Sequence, residues 1–360
     1  GMKGIDDGVK GEYLTDRLTT EALKYIEENR DHPFFLFLSH YAVHDPIEGR
    51  GDLVHKYEQK LQQKGKNRAN PYILEGNPDD GSFSRKELDE LLEDKRYAGY
   101  RNLPNRIVKI KQLQDNPQFA AMVESVDESF GRVLQKLKDL KLDENTIIIF
   151  FSDNGGMSAA NFHNPARKIK ECDLDKAFST SNLPLRGGKG WLYEGGIREP
   201  LIIKWPRQQV KGSVCETPVI STDFLPTLLD MAGLSVPKQY KGDGLSIAPV
   251  LLGQKNKVSQ LEKRALYWHF PQYSNHGAQS PGGAIRYGNY KLIEYFENFR
   301  VELFDLQADP GEQHDLSATA PGIVKDLTKK LHEWRKSLHA NMPAPNKDYN
   351  PSLNNQWQTN

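Results

Sequence analysis

The sequence predicts an α/β fold: a doubly wound sheet with a small C-terminal antiparallel β-sheet plus helix subdomain. Three observations predict it. Within the first 156 residues a helix-period segment, a wholly apolar run and a polar loop follow one another twice. Beyond about residue 240 the pattern changes to short strand-like segments in hairpin order. And 360 residues, 37% of them hydrophobic and 10% aromatic, suffice for one large core with an appendage.

The first helix is expected over 14–30, where Leu14, Leu18, Ala22, Tyr25 and Ile26 recur at helical spacing. Asp31-His32-Pro33 ends it, because proline lacks the N–H that the ladder needs. Phe34-Phe35-Leu36-Phe37-Leu38 then reads as a strand buried on both faces, as in a parallel sheet. Residues 47–116 are polar and read as a surface excursion with one or two short helices, for example 84–98. A second helix spans 117–140, with Phe119, Met122, Val123, Val126, Val133, Leu134 and Leu137 in its apolar stripe. Thr146-Ile147-Ile148-Ile149-Phe150-Phe151 is the second buried strand, and it runs into Ser152-Asp153-Asn154-Gly155-Gly156. Residues 200–205 read as a further strand and 221–232 as a helix. Strands follow at 264–270, 284–287, 290–295 and 301–305, with Gly288-Asn289 as a hairpin turn, and then a helix at 322–338. The expected division is a core domain over 1–239, the antiparallel subdomain over 240–342 and a loosely held tail over 343–360.

Lys plus Arg and Asp plus Glu both number 48, so the net charge is zero and no nucleic-acid partner is expected. The two cysteines, Cys172 and Cys215, stand in neither a C-x-x-C nor a zinc spacing, so no disulfide framework follows. No apolar run approaches the roughly 18 residues of a spanning helix, so no transmembrane segment is expected. The N-terminus shows no apolar signal core, so no signal peptide is expected in this chain.

In a doubly wound sheet, sites form beyond the C-terminal ends of the strands, and two polar loops fall there. Asp153 and Asn154 offer a carboxylate and an amide oxygen side by side, the hard ligands that Ca²⁺ or Mg²⁺ prefers. The same residues make an ordinary Asp-Asn-Gly turn, but the position after a buried strand favours metal. Lys189 lies in Arg186-Gly187-Gly188-Lys189-Gly190, where glycines let the chain approach an anion and the ammonium supplies positive charge. The spacing is not that of a P-loop, and on spacing alone a surface loop serves as well. His44, before Asp45-Pro46, either donates a proton to a leaving oxygen or caps a turn; His40 competes with it. His163 and Arg186 are further candidates for substrate contact.

These segments fall in a definite order. Tyr13-Leu14-Thr15-Asp16, Pro33-Phe34-Phe35-Leu36 and His44-Asp45-Pro46 come first. Met122-Val123-Glu124-Ser125-Val126-Asp127 and the 145–156 strand and turn follow. Next are Leu185-Arg186-Gly187-Gly188-Lys189-Gly190 and Glu194-Gly195-Gly196-Ile197-Arg198-Glu199-Pro200. Thr222-Asp223-Phe224-Leu225-Pro226-Thr227-Leu228, Gly242-Asp243-Gly244 and Leu303-Phe304-Asp305-Leu306 complete the set. Together they resemble the sulfatase family of the alkaline-phosphatase-like superfamily, in the part downstream of its formylglycine site.

The resemblance implies hydrolysis of sulfate esters, with sulfated carbohydrates as the expected substrates and a periplasmic or secreted location. It implies Asp153 and Asn154 as calcium ligands, Lys189 as a contact to the sulfate and its bridging oxygen, and His44 near the same ester oxygen. The family's nucleophile is a formylglycine made from Cys or Ser in a C-x-[PS]-x-R segment, accompanied by an Asp-Asp metal pair. Neither is found: Cys172 precedes Asp-Leu-Asp-Lys, Cys215 precedes Glu-Thr-Pro-Val, and Asp6-Asp7 lies too close to the Tyr13 block. The expectation is a truncated chain without its N-terminal strands, holding part of a calcium site, inactive alone and prone to self-association through an exposed sheet edge. Two other readings stay open: a non-catalytic sulfatase-like module that binds sulfated glycans, and a phosphatase or phosphodiesterase of the same superfamily.

Overall fold

The computed structural model describes residues 8–65, 70–76, 83–100, 103, 105–160, 178–206, 212–274, 279–350 and 352. Their elements run α1 (Leu14–Glu28), α2 (Gly51–Lys64), β1 (Tyr72–Glu75), α3 (Arg85–Leu92), β2 (Val108–Lys111), α4 (Pro117–Asp139) and β3 (Ile148–Phe151). Then come α5 (Glu194–Ile197), β4 (Leu201–Lys204), α6 (Phe224–Met231), α7 (Ala248–Leu251) and α8 (Lys255–Glu262). The C-terminal part holds β5 (Ala265–Phe270), β6 (Gly282–Tyr287), β7 (Tyr290–Tyr295), β8 (Val301–Asp305) and α9 (Pro321–Ser337). Contacts divide the chain into two units, residues 1–69 with 114–148, and 70–113 with 149–360.

In the first unit α1 buries Thr15, Thr19, Ala22 and Ile26, one row of a 3.6-residue helix. Its neighbour α4 buries Ala121, Met122, Ser125, Ser129 and Leu137, while Val123, expected in the stripe, is 47% exposed. Small hydroxyl residues let the two helices approach: Thr19 Oγ1 lies 2.6 Å from Thr15 O and 2.7 Å from Ser129 Oγ. Asn116 starts α4 by accepting from the Gln118 and Phe119 amides, and Pro117 occupies the first turn, where its missing N–H costs nothing. Leu53 and Val54 of α2 pack on Ala121.

The strand expected over 34–38 is a correction. Among the described residues this run belongs to no ladder, and Phe35 and Phe37 are 70% and 80% exposed. Phe34, Leu36 and Leu38 are half-buried, and Phe34 sits edge-on to Tyr25 of α1 with ring centres 6.0 Å apart. An extended chain sends successive side chains to opposite sides, and only one side meets neighbours here.

In the second unit β1 and β2 pair antiparallel, from Tyr72↔Lys111 to Glu75↔Val108. They lie inside the stretch read as a polar excursion. Ser84 and Glu87 form a reciprocal cap at the start of α3, as the Ser-x-x-Glu spacing allows. β3 pairs with β4, but this ladder is half-buried rather than enclosed, with Ile202 60% exposed. β5 to β8 make a four-stranded antiparallel sheet in sequence order, as the hairpin pattern predicts. One face sets Ala284, Ile293, Tyr295 and Phe304 against Trp191, Leu192 and Tyr193 of the loop before α5. The other sets Ile285, Leu292 and Leu303 against Leu327 and Leu331 of α9. The 222–228 block has a structural explanation: the Asp223 carboxylate accepts from the Ile220 and Leu245 amides, both at 2.9 Å, and pairs with Arg264.

Candidate functional site

β3 delivers the chain to Ser152, and from there a set of hydrogen bonds joins the 152–158 turn to the 182–200 segment. Ser152 N–H donates to Pro200 O (3.4 Å) and Gly155 N–H to Gly196 O (3.1 Å). Lys189 N–H donates to Gly156 O at 3.1 Å, and Gly195 N–H to Arg186 O at 2.8 Å. Asn182 clamps the junction from the side: its amide donates to Gly156 O and Gly187 O, and its oxygen accepts from Gly156 N–H. The backbones are so close that a Cβ on Gly155 would stand 1.8 Å from Gly195 O, and one on Gly188 2.4 Å from Ser158 Oγ. The glycines in both motifs therefore serve close approach of two segments.

This junction ties the turn that carries Asp153 and Asn154 to the loop that carries Lys189. The Asp153 carboxylate is exposed and Asn154 half-buried, and neither side chain has a hydrogen-bond partner among the described residues. Lys189 is half-buried, with its backbone fixed and its ammonium outside any ion pair among the described residues. The donor set suits a hard cation in kind but not in number, since Ca²⁺ takes roughly six to eight oxygens. Among the described residues no three His, Cys, Asp or Glu side chains converge on a metal-sized position.

Glu199 is a site residue that motif and spacing do not single out. The two backbone bonds at Ser152 and Gly155 bring its segment alongside Asp153. Burial first, and then the Asp153 charge, push its carboxyl up to about 8. One of its oxygens is buried without a hydrogen-bond partner among the described residues. The signal for it lies in the Glu194–Pro200 block, which the sequence offers only as a family pattern.

Arg186 is committed inside the protein. Its guanidinium pairs with Glu75 Oε1 of β1 at 2.5 Å, donates to Glu312 O at 3.0 Å, and lies 4.0 Å from the centre of the Tyr193 ring. Burial works against its charge, but Glu75 and Tyr193 outweigh that and hold its pKa well above the usual value.

His44 belongs to the other unit. It is exposed, with Nδ1 3.0 Å from Asp45 O and its ring centre 5.4 Å from that of Tyr41. His40, the competitor, is half-buried with Nε2 2.9 Å from Ser129 Oγ, and burial lowers its pKa. That leaves His44 as the accessible imidazole of the pair. His163 and Cys172 lie outside the described residues, and Cys215 is exposed as a free thiol.

The sulfatase family model matches residues 2–234, and the model of the N-sulphoglucosamine sulphohydrolase C-terminal region matches 188–337. A sulfatase of Formosa agariphila is 32% identical over 345 residues, covering 89% of this chain and 50% of that protein. An N-acetylglucosamine-6-O-sulfatase of Bacteroides thetaiotaomicron is 25% identical, covering 92% and 63%. The structure of Ps i-CgsB in complex with k-i-k-neocarrahexaose superposes with a TM-score of 0.65 at 23% identity, over 99% of this chain and 62% of that one. That of BT4656 in complex with its substrate D-Glucosamine-2-N, 6-O-disulfate gives 0.53 at 22%, over 92% and 71%. The chain spans about half the length of the curated relatives it matches. The fold class is the alkaline-phosphatase-like α/β class expected from the sequence, with its C-terminal sheet and helix. The chain belongs to the sulfatase family.

Proposed function

We propose that this chain supplies the downstream half of a sulfate ester hydrolase site, acting on a sulfated carbohydrate. The observation that carries the reading is the backbone junction, Gly155 N–H to Gly196 O and Lys189 N–H to Gly156 O, that ties the turn carrying Asp153 and Asn154 to the loop carrying Lys189. The two sugar-directed relatives, an N-acetylglucosamine-6-O-sulfatase and a protein bound to a disulfated glucosamine, favour a carbohydrate.

Lys189 would offset charge on the sulfuryl and bridging oxygens, and its fixed backbone means little reorganisation as that charge develops. Asp153 and Asn154 would hold calcium, which when bound polarises the sulfate. His44 would donate to the ester oxygen as the alcohol leaves. Arg186 would hold the loop through Glu75 rather than touch the sulfate; a contact from His163 stays part of the proposal. Among the described residues no helix is long and apolar enough to cross a membrane. We place the protein in the periplasm or outside the cell by analogy with its relatives, and keep a subdomain boundary near residue 240.

No C-x-[PS]-x-R segment occurs in the 360 residues. The chain alone is therefore expected not to hydrolyse a chromogenic aryl sulfate with calcium present; clear metal-dependent turnover would refute that. Calcium binding by calorimetry should be weaker than micromolar and should vanish in Asp153→Ala. Exposed Phe35 and Phe37 make a second copy of this chain the expected partner of the 34–38 run, and a strict monomer in light scattering would remove that idea.

The deciding experiment is to read the coding DNA upstream of the Met2 codon. An in-frame Asp-Asp pair and C-x-[PS]-x-R segment would establish the sulfatase reading. An open frame without them would favour a sulfated-glycan-binding module instead.

A further inference from the structure

Beneath the junction lies a chain of buried charge that the proposed chemistry does not use. Lys291, in the middle of the C-terminal sheet, is fully buried, with Nζ 3.0 Å from Glu194 Oε1 and 2.9 Å from Glu312 Oε1. Glu312 Oε2 in turn accepts from the Glu194 backbone N–H at 2.6 Å. Arg286 Nη1 stands 3.8 Å from the other Glu194 oxygen. Glu194 is thus held at its side chain by β6 and β7, and at its backbone by the loop after β8.

What Glu194 begins is the short turn α5, and the next two residues are the ones that grip the site. Gly195 N–H holds Arg186 O, and Gly196 O accepts from Gly155 N–H. One bond sets the loop that carries Lys189, and the other sets the turn that carries Asp153 and Asn154. Neither glycine has a side chain with which to fix its own position, and both are buried. Their placement falls to the residues at either end, and Glu194 is the anchored one.

We infer that Lys291, with Glu312, is a positioning residue for the sulfate site: it acts through Glu194 to fix α5, and so aligns Lys189 with the Asp153–Asn154 turn. This deepens the proposed function, on which it rests, by assigning the C-terminal sheet a part in it. The recruitment of lysine fits the chemistry. Two carboxylates brought out of water need a compact cation between them, and an ammonium with three donors can bridge both while the turn stays rigid. Burial raises the Glu312 carboxyl, and the Lys291 charge opposes that rise. Glu194 and Glu312 therefore share one cation.

The test is amide hydrogen exchange on the full chain, with no sulfate ester or metal in the experiment. It therefore reads the positioning whether or not the catalytic reading survives. The charge-balanced pair Lys291→Met with Glu312→Gln should speed exchange at the Gly155, Lys189 and Gly195 amides about tenfold or more beyond whatever change it produces at Ile285, Leu292 and Leu303 in the sheet. Lys291→Arg, which keeps the cation, should leave the three site amides within about threefold of the parent. Unchanged site amides in the folded double variant would overturn the inference. So would sheet and site amides accelerating together, because that is a structural role without direction. If the double variant does not fold, Glu194→Gln takes its place: the same two sets of amides are followed, and the same two results overturn the inference.

Discussion

The strand β7 and the run 34–38 reverse the usual expectation. The run is Phe-Phe-Leu-Phe-Leu, and two of its phenylalanines are largely in solvent. β7 is Tyr-Lys-Leu-Ile-Glu-Tyr, yet Lys291 is 0% and Glu294 2% exposed. The difference is in what surrounds them. β7 is paired on both sides, and its charges meet partners: Glu194 and Glu312 for Lys291, Arg335 and His332 for Glu294. Among the described residues the run 34–38 has neighbours on one side only. Polarity of a residue sets the cost of burial, while partners decide whether burial occurs.

Removing the cation that makes β7 tolerable should have the largest effect. Lys291→Met leaves Glu312 without its cation and Glu194 with only Arg286 at 3.8 Å, and is expected to lower stability by about 3–5 kcal/mol in urea unfolding. A loss below about 1 kcal/mol would show that the pairing is not what permits the burial. Leu292→Ala, in the same strand and fully buried, should cost about 3 kcal/mol, so the charge outranks its apolar neighbour by a modest margin.

A pH effect comes next. Burial raises the Glu302 carboxyl above its ordinary 4.5, although Arg186 and the Tyr193 and Tyr295 hydroxyls, 2.7 and 2.9 Å away, pull it down. The folded chain then holds this proton more tightly than the unfolded chain. The contribution is fully present below about 4.5 and is lost as pH rises through the folded value. Glu302→Gln cannot ionise, so as pH rises above the ordinary carboxylate range the parent should lose stability relative to the variant in thermal melts. Parallel melting curves would contradict the cause assigned here.

The smallest effect belongs to the other region. Phe35→Ser with Phe37→Ser should change unfolding stability by no more than about 0.5 kcal/mol per site, because little contact is lost. The same double variant should reduce self-association in light scattering. A large destabilisation would mean that the run is buried in solution and would erase the contrast with β7.

Local periodicity determined a good deal by itself. Helical spacing marked α1 and α4, and the hairpin pattern around Gly288-Asn289 marked the C-terminal sheet. The Asp-Asn-Gly-Gly turn and the Gly-Gly-Lys-Gly loop were visible as motifs, because both need glycine where backbones meet. Only the tertiary structure decided that these two motifs touch, that β1 and β2 cross a polar stretch, and that the most apolar run stays half in water. It also paired Arg186 with Glu75, and Lys291 with Glu194 across 97 residues. The physical reason is range. Periodicity reports which face of one element is apolar, whereas ion pairs and burial depend on which distant segment arrives opposite it.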